Sequence, residues 1–114
     1  MKLITSALQQ KLEAGHKLEM AGNKAVPVMK LFYPVGAATW IISSISPEGN
    51  MFGLCDLGHG SPEMGDVALS ELQEFKGHMG LGIERDLHWT PKVGASLSDY
   101  ADKAREKGYI VDTF

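Results

Sequence analysis

Residues 38–45 read Ala-Thr-Trp-Ile-Ile-Ser-Ser-Ile, and in an extended chain the first half of this segment is apolar on both faces. A strand with two apolar faces must be covered on both sides, which is typical of a central strand in a layered fold. The turn sequence Pro-Glu-Gly-Asn follows at 47–50, with proline suited to the second turn position and glycine to a positive φ. This segment therefore predicts a hairpin from a central strand into a second strand at 51–57.

Three other segments have the features of strands. The segment at 26–34 is bounded by prolines, which limit how far it can pair. The segment at 66–69 is short. In the segment at 79–89, apolar residues occupy alternate positions, except that Arg85 takes one of them, and a strand requires this period of two. Together with the hairpin, these segments predict a mainly antiparallel sheet.

Three helices are predicted from the signals at their ends. Serine followed three residues later by glutamine is a capping box, and it occurs at Ser6 and again at Ser70. The first helix ends either at Gly15 or at residue 20, and the second ends at residue 75 or 76. A last helix begins after Ser96 or Ser98 and ends at the glycine at 108, which is a favoured C-terminal residue.

The length of the chain, 114 residues, is a common size for one domain with one core. The elements predict a single α+β domain over residues 1–114, with a mainly antiparallel four- to five-stranded sheet and two to three helices. Within this domain, residues 1–25 are expected to form an N-terminal helix and a loop.

The net charge of −3 is unevenly distributed along the chain. Residues 1–30 carry five lysines and two glutamates, whereas residues 48–86 carry eight acidic residues against one lysine and one arginine. Proteins that bind duplex nucleic acid usually present a basic stripe, because neutralising phosphates drives their affinity. The acidic middle therefore disfavours a nucleic-acid partner. It fits a solvated face, a basic partner or a metal ion.

The cysteine content and the N-terminal residues indicate a compartment. Cys55 is the only cysteine, so the chain has no internal disulfide and a reducing environment is expected. The short apolar run at 3–8 is followed directly by glutamines and charged residues, which fits neither a signal peptide nor a membrane span. We therefore expect a cytoplasmic protein that does not interact with a membrane.

In the strand predicted at 79–89, Arg85 shares one face with apolar and aromatic residues, which are Met79, Leu81, Ile83, Leu87 and Trp89. A buried guanidinium without a counter-ion is very costly. Asp56 ends a core-facing row on the strand at 51–57, and its carboxylate suits a two-point contact with Arg85. We therefore predict a structural ion-pair network of Asp56, Glu63 and Arg85, which holds the loop after residue 57 against the sheet.

The opposite face of the same predicted strand carries Glu84, Asp86 and His88. Alternate residues on a strand can bind one ion through mixed oxygen and nitrogen ligands, and His59 or Glu63 would complete the site. A metal-bound water would then act as a nucleophile. Any charged, solvated face of a strand has the same pattern. The main expectation is therefore that no cofactor binds, and a divalent metal is the alternative.

The segment after residue 57 is a candidate functional loop. It contains Gly58, His59, Gly60 and Glu63 at the end of a strand, where binding sites are often built. The other interpretation is that the glycines only satisfy the geometry of turns. No catalytic residue is assigned in either case.

Several segments together resemble a known family: 30–34 (Lys-Leu-Phe-Tyr-Pro), 36–40 (Gly-Ala-Ala-Thr-Trp), 52–58 (Phe-Gly-Leu-Cys-Asp-Leu-Gly), 62–65 (Pro-Glu-Met-Gly), 69–72 (Leu-Ser-Glu-Leu) and 80–89. In order and spacing they are similar to a family of small bacterial proteins of unknown function, domain of unknown function 2958, carried largely on plasmids and other mobile elements. The resemblance covers residues 26–110, the family-like core. It implies an origin on mobile DNA and supplies no catalytic residue.

Three hypotheses for the function follow. The first is a non-enzymatic accessory protein that binds a protein partner or forms a homo-oligomer, and it predicts an exposed apolar patch. The second is a metal-assisted hydrolase or nuclease that uses Glu84, Asp86 and His88. The third is a nucleic-acid-binding module, in which the lysines of the first segment contact phosphates and Trp40 or Trp89 stacks on bases. The first is the main prediction.

Overall fold

The computed structural model describes residues 2–112 and 114, and these residues form one antiparallel sheet with helices on both faces. The strands of the described chain are β1 (Met29–Phe32), β2 (Thr39–Ile45), β3 (Asn50–Asp56), β4 (Glu63–Ala68) and β5 (Glu84–Arg85), in the spatial order β4-β3-β2-β1-β5. The helices are α1 (Ser6–Met20), α2 (Leu69–Glu74) and α3 (Leu97–Lys107). The predicted α+β class and antiparallel sheet are confirmed.

The middle strand, β2, is buried on both faces, as its sequence predicts. Trp40 and Ile42 belong to the core cluster that contains Leu12 of α1, whereas Ile41 packs with Tyr100 of α3 on the other side. Burial of an apolar side chain of this size contributes about 1.5–3 kcal/mol relative to exposure. The two apolar faces of β2 therefore explain why the sheet is covered by a helix on each side.

The pairing of β2 with β3 shifts register between Ile42 and Ser44. In a regular strand the adjacent Ser43 and Ser44 would point to opposite faces, but at this bulge both buried hydroxyls donate to one carboxylate, that of Glu19. The distances are 2.9 Å from Ser43 Oγ to Oε2 and 2.7 Å from Ser44 Oγ to Oε1. These bonds attach the C-terminal end of α1 to the middle strand.

Of the two ends that the sequence allowed for α1, the structure has the later one, because the helix continues through Gly15 to Met20. A Cβ atom at Gly15 would lie 2.4 Å from the carbonyl oxygen of Ser43, so glycine allows the helix to approach β2 closely. The predicted cap is corrected by one residue. The side chain of Thr5, rather than that of Ser6, accepts a hydrogen bond from an N–H of the first turn.

The last helix, α3, has the predicted ends. Ser96 and Asp99 form a reciprocal capping box, and Gly108 ends the helix with φ 85°. The buried residues of the helix face the sheet: Leu97, Tyr100, Ala101 and Ala104. No helix in the described part of the chain is long and apolar enough to cross a membrane.

The capping box predicted at Ser70 is wrong, because α2 begins one residue earlier, at Leu69, and has no side-chain cap. The chain passes directly from β4 into the helix. The N–H of Leu69 donates to the carbonyl of Gly49 at 3.0 Å, so a backbone acceptor takes part of the role of a capping side chain.

The strand predicted at 79–89 is mostly wrong. The pairing with β1 is limited to Glu84–Arg85, opposite Phe32 and Leu31. Residues 78–80 form a 3₁₀ turn, in which Met79 has φ 56° and Gly80 has φ 74°. Left-handed backbone cannot continue an extended strand, so the regular alternation read from the sequence has no counterpart over most of this segment.

Candidate protein-interaction site

Tyr33, which directly follows β1, joins two loops at one end of the sheet. Its hydroxyl accepts a hydrogen bond from the N–H of His78 at 2.8 Å, and its ring meets the ring of Phe75 edge-on, with centroids 5.2 Å apart. A Cβ atom at Gly77 would lie 2.0 Å from the Tyr33 hydroxyl oxygen, and one at Gly36 would lie 2.6 Å from the Tyr33 ring. The two glycines therefore provide the space that Tyr33 occupies.

An apolar groove of about 260 Å³ opens beside Tyr33, between α2 and the sheet. Leu57 and Phe75, two of its lining residues, are exposed to 59% and 41%. Exposed apolar side chains grouped around a concavity are typical of an interaction site. The residues that define the apolar groove are Tyr33, Ala38, Trp40, Leu57, Glu71, Leu72, Phe75 and Ile83.

Met79 directly follows His78, whose N–H donates to the hydroxyl of Tyr33, although Met79 itself does not line the groove. Its side chain is 86% exposed, and it is the one non-glycine residue with positive φ in the described chain. A left-handed backbone costs about 1–2 kcal/mol for a residue with a Cβ. Three backbone hydrogen bonds close the loop around it: Gly77 N–H to the Leu81 carbonyl at 2.7 Å, Gly80 N–H to the Gly77 carbonyl at 3.0 Å, and Leu81 N–H to the His78 carbonyl at 3.2 Å. The loop thus presents a large apolar side chain to solvent.

The predicted ion pair between Asp56 and Arg85 is not formed in the part of the chain that the structure describes. Asp56 is buried, but one carboxylate oxygen accepts from Gly58 N–H at 2.8 Å and the other from Ile110 N–H at 3.2 Å. The strands β3 and β5 are separated by β2 and β1, which places them about 14 Å apart at the usual strand spacing. Glu63 is exposed at the start of β4 and forms no ion pair among the described residues.

Arg85 is half-buried, and neutral acceptors replace the expected carboxylate. Its Nη1 donates to the carbonyl oxygens of Lys2 at 3.1 Å and Leu3 at 2.5 Å. The guanidinium therefore attaches the segment before α1 to the edge of the sheet formed by β5. Every residue has a backbone carbonyl, so the sequence contains no pattern from which this contact could be predicted.

The predicted metal-binding residues do not share one strand face. Glu84 lies in β5, whereas Asp86 lies in the following turn, where its Oδ1 accepts from the N–H groups of His88 at 3.0 Å and Trp89 at 3.1 Å. Its other oxygen is 3.8 Å from Lys30 Nζ. In the described residues there is no group of three His, Cys, Asp or Glu side chains placed to hold a metal ion.

Of the residues considered for nucleic-acid binding, several have contacts within the protein. Lys30 is only 12% exposed at its side chain and forms ion pairs with Asp86 and Asp112. Trp40 is buried in the core, and the ring of Trp89 meets the ring of Tyr100 edge-on at 5.9 Å. The other four lysines of residues 1–30 are exposed.

The candidate functional loop has the conformation that its glycines allow. Gly58 and Gly60 have φ 86° and 80°, and His59 and Glu63 are exposed. This loop directly follows Leu57 of the apolar groove, so it borders the same end of the molecule. Its role in binding stays a prediction.

The chain was compared with known families, curated proteins and solved structures. A family model with the description "Protein of unknown function (DUF2958)" matches residues 3–111. The match includes α1 as well as the residues 26–110 that carry the resemblance. No curated protein and no solved structure matches the chain.

Proposed function

We propose that this chain, which belongs to the DUF2958 family of proteins of unknown function, is a non-enzymatic accessory protein that binds another protein through the apolar groove and Met79. The observation that carries the proposal is the exposed Met79 on a left-handed backbone, in the loop that is hydrogen-bonded to Tyr33 of that groove. Such backbone strain occurs mainly at functional sites. A flexible thioether side chain adapts well to apolar partners.

The dimensions of the groove support a protein partner over a small molecule. Small-molecule sites usually have volumes of about 300–1,000 Å³ and enclose most of their ligand. The apolar groove is smaller, at about 260 Å³, and among the described residues Glu71 is the one charged residue that lines it. It has the size and character of a pocket for one or two apolar side chains, with Phe75 and Leu57 at its rim. Interfaces typically concentrate their binding energy in such pockets.

The setting that we propose for this protein is the cytoplasm of a bacterium that carries a plasmid or another mobile element. The resemblance of residues 26–110 to proteins from such elements supports this part of the proposal. The partner is then expected to be encoded close to the gene for this chain. Sequencing the neighbouring genes tests the setting, which would be abandoned if homologous genes lie in stable chromosomal operons without transfer or maintenance genes.

The binding surface is tested with a photo-crosslinking amino acid placed at position 79 in cells of the natural source, followed by purification of the crosslinked protein. Its affinity is then measured for Phe75→Glu, for Met79→Glu and for the control Val93→Glu. Val93 is 98% exposed and lies outside the groove. Each groove variant should weaken binding about 30-fold or more, as expected for a buried hot spot, and the control should bind normally.

Unchanged binding by both groove variants, with unchanged unfolding temperature, would refute the proposed surface. A crosslink to a second copy of the chain would replace the separate partner with a homo-oligomer. If the crosslinked molecule proved to be a substrate that this protein converts enzymatically, the non-enzymatic role would be contradicted.

A further inference from the structure

The strand β4 forms one edge of the sheet. It pairs with β3 along its whole length, from Ala68 opposite Asn50 to Glu63 opposite Cys55, without a shift in register. No strand of the described chain pairs with its other edge. Proteins usually protect such an edge with charged side chains, especially lysine, with proline or with a bulge; β4, which reads Glu-Met-Gly-Asp-Val-Ala, carries two acidic residues but no lysine, proline or bulge. It is therefore a regular template for one additional strand.

An open cleft of about 570 Å³ lies beside this edge, between the C-terminal end of α1, the turn between β2 and β3, and β4 itself. The carboxylates of Glu19, Glu48 and Asp66 line it, and neither lysine nor arginine of the described chain does. We refer to this concavity as the acidic cleft. Asp66 is the β4 residue that lines it, so the acidic cleft extends to this strand.

Two features organise the acidic cleft for a cationic side chain. Both oxygens of Glu19 are already held by the buried hydroxyls of Ser43 and Ser44, so this charge is fixed before any partner arrives. Fixing a group in advance lowers the entropy lost on binding. Phe52 is paired directly opposite Asp66, so its ring and that carboxylate lie on the same face of the sheet. A cation beside a carboxylate and an aromatic ring gains from both.

We propose that the edge of β4 and the acidic cleft bind an extended, basic segment of a partner protein by strand addition. The unpaired edge favours an extended backbone, and the three carboxylates favour arginine or lysine at a position facing the cleft. A second copy of this chain is a poor occupant, because its own β4 carries two acidic residues and no basic one. This surface lies apart from the apolar groove, and the inference does not depend on the function proposed above.

The probe is a display library of random ten-residue peptides, selected on the intact protein. The selected peptides should be rich in arginine and lysine, with β-branched residues at alternate positions. Nuclear magnetic resonance shifts of backbone amides should then change in β4 and around the acidic cleft. Selection of acidic or purely apolar peptides, shifts confined to the apolar groove, or no selected peptide at all would overturn the proposal.

The selected peptide is tested further with matched variants. Asp66→Asn and Glu48→Gln should each weaken binding about fivefold, the upper range for an exposed ion pair, whereas Glu106→Gln on α3 removes the same charge elsewhere and should have no effect. The backbone of the peptide is then N-methylated at alternate residues, either at the odd-numbered or at the even-numbered positions. One of these two modified peptides should not bind, because it lacks the backbone N–H groups that donate to β4. If both modified peptides bind normally, strand addition is excluded. Phe75→Glu should leave this binding intact, which separates this inference from the proposed function.

Discussion

Replacing Glu19 by alanine removes the shared acceptor of two buried hydroxyls. Ser44 loses an acceptor at 2.7 Å, whereas Ser43 loses one at 2.9 Å and retains a longer contact of 3.3 Å with the Phe52 carbonyl. Leaving a buried polar group unpaired costs about 1–3 kcal/mol. The larger part of that cost falls on Ser44, so we expect the free energy of unfolding to fall by about 3 kcal/mol in total.

Urea unfolding followed by tryptophan fluorescence measures this change, and the midpoint of thermal unfolding should fall by about 10 °C. The matched control is Glu13→Ala on the same helix, where an exposed carboxylate accepts only from the Gln9 side chain in the described contacts. Both variants place alanine in α1, so their helix propensities are equal. The control should change stability by no more than about 0.5 kcal/mol.

A double variant tests the cause directly. If the cost in Glu19→Ala comes from the unpaired hydroxyl, then Glu19→Ala combined with Ser44→Ala should be more stable than the sum of the single effects by about 1 kcal/mol or more. Additive effects, or a Glu19→Ala variant as stable as the Glu13→Ala control, would refute the reasoning.

Three further outcomes are expected. Gly15→Ala should lower the free energy of unfolding measured in urea, because the added Cβ would lie 2.4 Å from a carbonyl oxygen of β2. This is expected even though alanine usually favours a helix over glycine by about 0.5–1 kcal/mol. Gly65→Ala is the control that should not destabilise the protein, because no atom lies within 4 Å of the added Cβ. Hydrogen bonds from the capping serine lower the pKa of Asp99, so its carboxylate stabilises the fold above its unfolded pKa and stops doing so as pH falls through the folded value; Asp99→Asn should flatten the acid limb of a pH–stability curve. Burial, and to a lesser extent the charge of Asp66, raises the pKa of the Cys55 thiol. Asp66→Asn should therefore increase the rate at which iodoacetamide alkylates Cys55, because the thiolate is the reactive form. An unchanged rate would contradict the contribution of Asp66.

The parts of the fold that the sequence predicted correctly depend on local signals. The helix α3 has its capping serine, its acidic partner and its terminal glycine within thirteen residues, and the hairpin of β2 and β3 has its turn residues between two apolar runs. In both cases the residues that determine the structure are neighbours in the chain. Asp56 was also placed correctly at the end of a core-facing row, since it is buried there.

The parts that were missed depend on contacts between distant residues. Arg85 donates to backbone carbonyls 82 and 83 positions away, and a carbonyl is present at every residue. The pair of serines held by Glu19 required a bulge, which strict alternation cannot reveal. For the loop around Met79 a signal did exist: glycines at 77, 80 and 82 disfavour a strand interior.

The two edges of the sheet differ in a way that limits assembly. On the side of β1, the short strand β5 pairs with Leu31 and Phe32, Asp86 N–H donates to the Lys30 carbonyl at 2.9 Å, and Arg85 secures the neighbouring segment. The outer edge of β5 is also unpaired in the described chain but is only two residues long, whereas β4 offers an unpaired edge of six residues. A fibre built by strand addition needs two open edges on each subunit, whereas a molecule with one open edge accepts a single strand and then has no edge left. Association through β4 would therefore join this protein to one partner strand and would not extend into a fibre.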